Sequence, residues 1–478
     1  MCLSNDQRSR LVRELAAAFP SYERLDEMVG LELCTPLPSI TPPKAIGLAS
    51  LDVVRHFEAH GTIRNLVRAA ARVRPERAAL RTLAAELGVW PSQVAEPLPE
   101  VRTEAKPEVR TEVVAAPVSK PAGSKGPVRW LHLTDFHCGQ QDQERRWDQV
   151  KHEFLRDLSH YAKRIDGIDV LFFTGDLAYS GEKAEYVRIQ RNLEEIMALL
   201  ATLGSRPALL AVPGNHDVVL PREPLPAAVR SLKQWHRDAG LRAAFWCKRP
   251  KSEEFRYVEK VLKNYQDWWK AHAAAEVWSN PHTLPGEFST SLEINGARFG
   301  VAGLNSTFLQ LWKGVQAGEL DLDGEQPHRA CGKPLREWRA EQDLAVLLTH
   351  QPPSWLAPAR QTVYEDEIYP PGTFDLHLCG HLHAAVGTAA NWLGSPGRRL
   401  LQGASLFGLE SWEEAGQTVT QRTHGYSLGR FQRQDNGWLL EFWPRTAEPV
   451  GGGGWNFGPD RRFRTGPDQV VQELIADS

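Results

Sequence analysis

Five short apolar runs constrain this chain more than any other feature, because each ends in a residue able to bind a metal. "VRWLHLTD" ends at Asp135, with His137 two residues on, and "DVLFFTGD" ends at Asp176. "PALLAVPGNHD" brings Asn215, His216 and Asp217, "LAVLLTHQPP" brings His350, and "TFDLHLCGHLH" brings His381 and His383. Each run is short enough for a buried strand. Helical stretches at 142–164 and 183–203 separate several of them, so the pattern from residue 127 onward is α/β. In α/β sheets, ligands bind at the carboxyl ends of the strands, on loops that a rigid scaffold positions. A single Asp-x-His or His-x-His is ordinary. Five such endings in one chain point to one shared site.

The donors are Asp, Asn and His, with no thiolate. That set suits Mn, Fe, Zn or Ni more than Cu(I) or an iron–sulfur cluster. The number of donors fits two ions roughly 3.5–4 Å apart, which need a bridging carboxylate. Asp176 is the natural bridge, since Gly175 before it lets the backbone approach closely. Water shared by two such ions is a strong nucleophile near neutral pH.

The set "DFH", "GD", "GNHD", "H" and "GHLH" resembles the calcineurin-like metallophosphoesterase family. "LHLTDFHCG", "FFTGDLAYSG", "VPGNHD", "HQPP" and "CGHLHAA" look most like its cyclic-nucleotide-phosphodiesterase-like branch. The resemblance spans about residues 127–446 apart from an insertion. It implies a four-layer α/β/β/α sandwich. It also implies one metal held by Asp135, His137, Asp176 and His383, and a second held by Asp176, Asn215, His350 and His381. His216 would contact the phosphate and protonate the leaving oxygen, and Asp217 would orient it. Two divalent ions are implied, Mn first, with Fe, Zn or Ni possible.

Other residues near these motifs read as structural. His132 and His377 lie inside apolar runs and are expected in the core. Thr134, Cys138 and Tyr179 neighbour the ligands and would line the pocket. Asn305 in "GLNST" could reach the site from another strand end. His424 in "RTHGYSL" is expected at the surface. Residues 218–285 form a largely helical insertion rich in Trp, Lys and Arg. Trp235, Trp246, Trp268, Trp269 and Trp278 read mostly as its own core, or as a dimer contact, with a base-stacking lid as the alternative. There is no long basic stripe, so duplex binding is not supported. "DQVVQELIA" near the end reads as a short helix.

Residues 1–90 read as a small all-α helical bundle. "QRSRLVRELAAAF" places Leu11, Leu15, Ala18 and Phe19 on one face, with Ser4 or Asn5 as N-cap, and Gly88 closes the last helix. His56 and His60 stand four apart without a third ligand nearby. "AFPSYERLDEMV" and "FEAHGTIRNLVRAA" resemble the bacterial effector-associated domains, small death-like adaptors; where that family often has Asn-Pro-Gly-Asn-Pro, this chain has "VRPERAA". The resemblance implies pairing with a partner protein carrying a similar domain, in a bacterial defence or signalling system. Residues 91–126 are rich in Pro, Glu, Lys and Ser and repeat "PEVRTE"; such a segment is expected to be a disordered linker. The expected layout is therefore adaptor 1–90, linker 91–126, metallophosphoesterase domain 127–466 and a tail at 467–478.

Composition narrows the class. The 478 residues are 42% hydrophobic, enough for a sizeable core, and the net charge of −3 does not suit a general polyanion binder. There is no apolar run of membrane-spanning length, and the first residues lack the features of a signal peptide. Six scattered cysteines without a C-x-x-C pair suit a cytoplasmic protein with free thiols. The expected function is a two-metal phosphodiesterase acting on a nucleotide or nucleic acid. The alternatives are a phosphomonoesterase or protein phosphatase, and a non-catalytic metal-binding scaffold.

Overall fold

A computed structural model describes residues 5–19, 21–33, 37, 40–41, 44, 46–59, 63–74, 77–87, 125–247, 251–383, 385–390, 397–414, 417–451, 454–466 and 468–477. The chain divides into two compact units, Met1–Pro117 and Val118–Ser478. The expected linker lies almost wholly outside the described residues, as do Ser4, His60 and Gly88.

The first unit holds α1 (Asn5–Ala18), α2 (Tyr22–Leu33), α3 (Ile46–Ala59), α4 (Ile63–Val73) and α5 (Ala78–Glu86). Leu11, Leu15, Ala18 and Phe19 share one face of the first helical segment and are all buried, as 3.6-residue spacing requires. They meet Val53, Val54 and Phe57 of α3 and Leu66, Val67 and Ala70 of α4 in one core.

The second unit begins with β1 (Val128–Leu133), α6 (Gln143–Arg164), β2 (Val170–Thr174), α7 (Lys183–Thr202) and β3 (Ala208–Val212). β2 is buried at every position, as a parallel strand covered on both faces must be. Trp147, Val150, Phe154, Leu158 and Tyr161 recur every three or four residues, and that face of α6 is buried. Four helices then fill the insertion: α8 (Ala227–Leu232), α9 (Ala239–Phe245), α10 (Glu253–Val261) and α11 (Lys263–His272). Trp235, Trp246, Trp268 and Trp269 are buried in the core beneath them, whereas Trp278 is 43% exposed.

After the insertion come β4 (Phe288–Ile294), β5 (Ala297–Gly303), α12 (Glu325–Cys331), α13 (Leu335–Ala340), β6 (Leu344–Leu348), α14 (Pro358–Val363) and β7 (Leu376–Cys379). The remainder is β8 (Val386–Ala390), β9 (Arg398–Gln402), β10 (Gly408–Glu414), β11 (Gln417–Thr423), β12 (Gly425–Gln434), β13 (Gly437–Val450), β14 (Gly454–Pro459) and β15 (Val471–Ala476).

All of these strands but β10 and β11 make two mixed sheets. One runs β14-β13-β12-β1-β2-β3, with β15 also paired to β13; the other runs β4-β5-β6-β7-β9-β8. β10 and β11 pair only with each other. Phe172 of the first sheet packs on Phe299 of the second, which in turn packs on Phe431. The sheets thus share one core, with helices outside, in an α/β arrangement of layers.

Two expectations are corrected. "DQVVQELIA" is not a helix: its residues 471–476 form β15, with Val471 opposite Phe442 and Ile475 opposite Trp438. The segment expected as a tail therefore completes the first sheet, because an available partner strand outweighs local helix propensity. His424 is not at the surface. It is fully buried between the rings of Phe407 and Trp455, with centroids 5.1 and 4.8 Å away. His132 and His377 are core residues: His132 Nε2 meets Thr174 Oγ1 at 2.8 Å, and His377 meets Thr349 Oγ1 and Tyr364 Oη at 2.8 and 2.7 Å.

Candidate metal centre

β1, β2 and β3 run parallel in one sheet, and β6 and β7 run parallel in the other. Contacts of His350 with Asp176 and of the His381 amide with Asp135, at 3.2 and 3.1 Å, bring the ends of both sets to one edge of the sandwich. The backbone there is unusual. Asp135, His137, Asp176, His381 and His383 have φ of 52°, 49°, 53°, 77° and 54°. They are five of the nine non-glycine residues with positive φ among those described. Each such residue costs on the order of 1–3 kcal/mol and persists only where its surroundings enforce it.

The enforcing contacts are specific. The amides of Phe136 and His137 both donate to the Asp176 carbonyl, at 2.9 and 3.0 Å, and the Asp135 amide donates to the Gly175 carbonyl at 3.0 Å. Ser405 Oγ and the Phe407 amide close on the Asp135 carbonyl at 2.7 and 3.1 Å. Gly175 adopts φ +87°, and a Cβ there would lie 2.5 Å from His350 Nδ1. A Cβ on Gly214 would lie 2.2 Å from Asp176 Oδ1. Both glycines let the ligand loops touch.

Asp176 stands between two groups of donors, and His216 also brings a ring nitrogen within 4.8 Å of ligand atoms of His137 and Asp176. Asp176 Oδ2 is 3.3 Å from His137 Nε2 and 3.2 Å from His350 Nε2. On the first side, Asp135, His137 and His383 offer ligand atoms within 4.8 Å of one another. On the second, Asp176, His350 and His381 do the same, and Asn215 Oδ1 lies 3.2 Å from His350 Nε2. The structure thus brings together all seven residues expected as ligands.

The chemistry of these donors fits cations. His350 Nδ1 is 2.7 Å from the Thr174 carbonyl, so that nitrogen carries a hydrogen. Nε2 of the neutral ring then turns a lone pair toward Asp176 Oδ2 and Asn215 Oδ1, two further acceptors. Such a convergence is repulsive until a positive charge enters it. A proton is the minimal answer: burial opposes it, yet the Asp176 carboxylate pushes His350 up to about 9. Despite its own burial, Asp176 is held well below the usual carboxylate range, chiefly by His350 and His216. His381 Nε2 is buried and without a hydrogen-bond partner among the described residues, and the nearest group to the buried Asp135 Oδ1 is His383 Nε2, at 3.5 Å.

His216 and Asp217 differ from expectation in how they are linked. His216 Nδ1 meets the Tyr179 carbonyl at 2.8 Å, and its ring stacks on Tyr179 at 5.1 Å and 19°. No hydrogen bond joins Asp217 to that ring. The Asp217 carboxylate instead accepts from the amides of Leu177, Ala178 and Gly214, at 3.3, 3.0 and 2.8 Å, and from Tyr186 Oη at 2.9 Å. It ties the loop after β2 to the loop after β3, and Tyr179 orients the histidine. Burial, reinforced by Asp176, raises the Asp217 carboxyl to about 6.

Asn305 does not reach the donors. Its Nδ2 donates to the Pro285 carbonyl and its Oδ1 accepts from the Thr307 amide, both at 2.9 Å. Sequence reasoning missed three residues that do surround the site. Gln351 Nε2 donates to Asn215 Oδ1 at 3.3 Å. Trp355 stands edge-on to His381, with centroids 4.0 Å apart. Trp312 lines the same cavity, of about 620 Å³, as Asn215, His216 and His381. The first two follow His350 closely in the chain, which was a usable signal. Trp312 offered none.

A family model for calcineurin-like phosphoesterases matches residues 128–385, and one for effector-associated domain 1 matches residues 1–88. The chain belongs to the calcineurin-like phosphoesterase family, with an effector-associated domain ahead of it. It is similar to a purple acid phosphatase, PPD1, from yellow lupin (Lupinus luteus) seeds, at 13% identity and a TM-score of 0.36. That likeness covers 71% of this chain and only 55% of the lupin protein. It is also similar to Vps29 of Chaetomium thermophilum, at 11% identity and a TM-score of 0.26, over 73% of this chain and 97% of that one. No curated protein matches it. None of its described helices is long and apolar enough to cross a membrane.

Proposed function

We propose that this protein is a two-metal phosphodiesterase acting on a nucleotide or nucleic acid. The observation that carries the proposal is the position of Asp176, shared between two groups of buried and half-buried donors. Asp135, His137, Asp176 and His383 would hold one ion, and Asp176, Asn215, His350 and His381 the other. Bound ions of this kind polarise a phosphoryl group and activate water. Manganese suits the mixed oxygen and nitrogen donors.

The chain's own residues do the rest. The carbonyls of Thr174 and Phe407 take the Nδ1 sides of His350 and His137, at 2.7 and 3.4 Å, leaving each Nε2 for a metal. Gln351 holds the Asn215 oxygen in place. Tyr179 fixes the His216 ring, so that its Nε2 can deliver a proton to the departing ester oxygen. Asp217 holds the loop that presents both Asn215 and His216.

The effector-associated domain would recruit the enzyme to a partner bearing a similar domain, in a bacterial defence or signalling system. The scattered thiols suit a cytoplasmic setting. The test compares bis-p-nitrophenyl phosphate with p-nitrophenyl phosphate in the presence of Mn²⁺, with Asp176→Ala as control. Faster turnover of the diester supports the proposal. Preference for the monoester would make the protein a phosphomonoesterase, and a metal-loaded protein that turns over neither would be a scaffold.

A further inference from the structure

We infer that the wall of the metal-centre cavity is a seat for a flat aromatic group, so that the substrate is a compact phosphoester carrying one ring system rather than a polynucleotide. This rests on the phosphoesterase reading above and narrows it.

Four large apolar side chains face the cavity. Tyr179 and Leu220 are each 40% exposed, and Trp312 and Trp355 are half-buried. Large apolar groups left open around a polar centre mark a surface that a ligand covers. Their placement follows the donors. Trp355 is in contact with the His381 ring and Tyr179 is stacked on His216. A phosphoryl group over the donors would therefore have aromatic rings beside it, Trp355 at His381 and Tyr179 at His216. Trp312 lies in the loop after β5, and Lys233 Nζ sits 5.3 Å from its ring centroid.

The charges in the wall point the same way. Apart from the histidines, the lining carries Lys313 and Glu182, whose charges cancel. Proteins that hold single-stranded nucleic acid track its backbone with a positively charged groove, and each phosphate contact adds affinity. This wall provides no such track among its described residues. Attraction for phosphate would come chiefly from the metal centre, with Lys313 and the Lys233 beside Trp312 as isolated cations, and the remaining affinity from ring contacts. The cavity, at about 620 Å³, has the size of a small-molecule site.

The test uses the full chain loaded with Mn²⁺ and measures binding of AMP and ribose 5-phosphate by tryptophan fluorescence and calorimetry. These ligands share a phosphate and differ in the base. AMP should bind about tenfold or more tightly than ribose 5-phosphate, as one stacked base would provide. Trp312→Ala should erase the gap with metal content unchanged, and Trp312→Phe should keep most of it. Equal binding by the wild type overturns the aromatic seat, as does a gap that survives in both Trp312→Ala and Trp355→Leu. A twenty-nucleotide oligothymidylate binding more than tenfold tighter than AMP, with steep salt dependence, overturns the compact substrate. If bis-p-nitrophenyl phosphate is not hydrolysed while the AMP preference holds, the phosphodiesterase reading falls and the seat stands.

Discussion

His350 Nε2 lies 3.2 Å from Asp176 Oδ2, although the two residues extend from strands of different sheets. Together with the 2.7 Å contact of His350 Nδ1 to the Thr174 carbonyl, it joins the two halves of the sandwich at the site. It also means that the proposed bridge cannot be lost without affecting both donor groups.

Asp176→Ala should therefore empty both metal positions, whereas His216→Ala should keep them. Metal content by mass spectrometry after dialysis separates the two variants. Both should lose turnover. The loss for His216→Ala should be about 10²- to 10⁴-fold, the usual worth of a positioned proton donor. A metal-free His216→Ala protein would move His216 into the ligand set.

Asp217→Ala should destabilise the fold. Three buried amides and the Tyr186 hydroxyl would lose their acceptor, and each buried unsatisfied group costs about 1–3 kcal/mol. A loss of at least about 3 kcal/mol in urea unfolding is expected from that principle. Unchanged stability with reduced turnover would instead show Asp217 acting through His216.

Gly214→Ala places a Cβ 2.2 Å from Asp176 Oδ1, so either the bridge or the loop must move. Mn²⁺ affinity, followed by calorimetry, should fall more than tenfold. Overpacking of this kind typically costs about 1–3 kcal/mol of stability as well. Gly458→Ala is the matched control, since a Cβ there meets nothing within 4 Å; it should leave both quantities unchanged.

His377 predicts part of the pH dependence of stability. Burial pushes this histidine down to about 3 in the folded protein, from an ordinary value of 6.5. Below pH 6.5 the unfolded chain binds a proton that the folded chain refuses. The associated stability is present above pH 6.5 and is lost as pH falls toward 3. The contribution is about 1.4 kcal/mol per pH unit within that window. Denaturant unfolding at pH 7, 6 and 5 should show a shallower slope for His377→Gln than for the wild type, by about one proton. Parallel slopes would exclude the effect.

Much of this protein was legible because its signals are local. Strand-length apolar runs that stop at Asp, Asn or His identify both the strands and the donors, since side-chain period and strand ends are properties of a few adjacent residues. The same holds for the face of α1, for the helical stretches that became α6 and α7, and for the pairing of Asn215 with His216 on one turn. Local pattern could not say what lies across the fold. β15 is a strand because β13 offers an open side, not because its sequence excludes a helix. His424 is buried because Phe407 and Trp455 come to it from elsewhere in the chain. Asp217 finds the amides of the neighbouring loop instead of the histidine beside it, and Tyr179 takes over that ring. Trp312 becomes a wall of the site only when the loop after β5 folds over the strand ends. The sequence by itself determined which atoms can hold metal. Tertiary packing decided which groups surround them, because those contacts join residues tens to hundreds of positions apart, where no periodicity reaches.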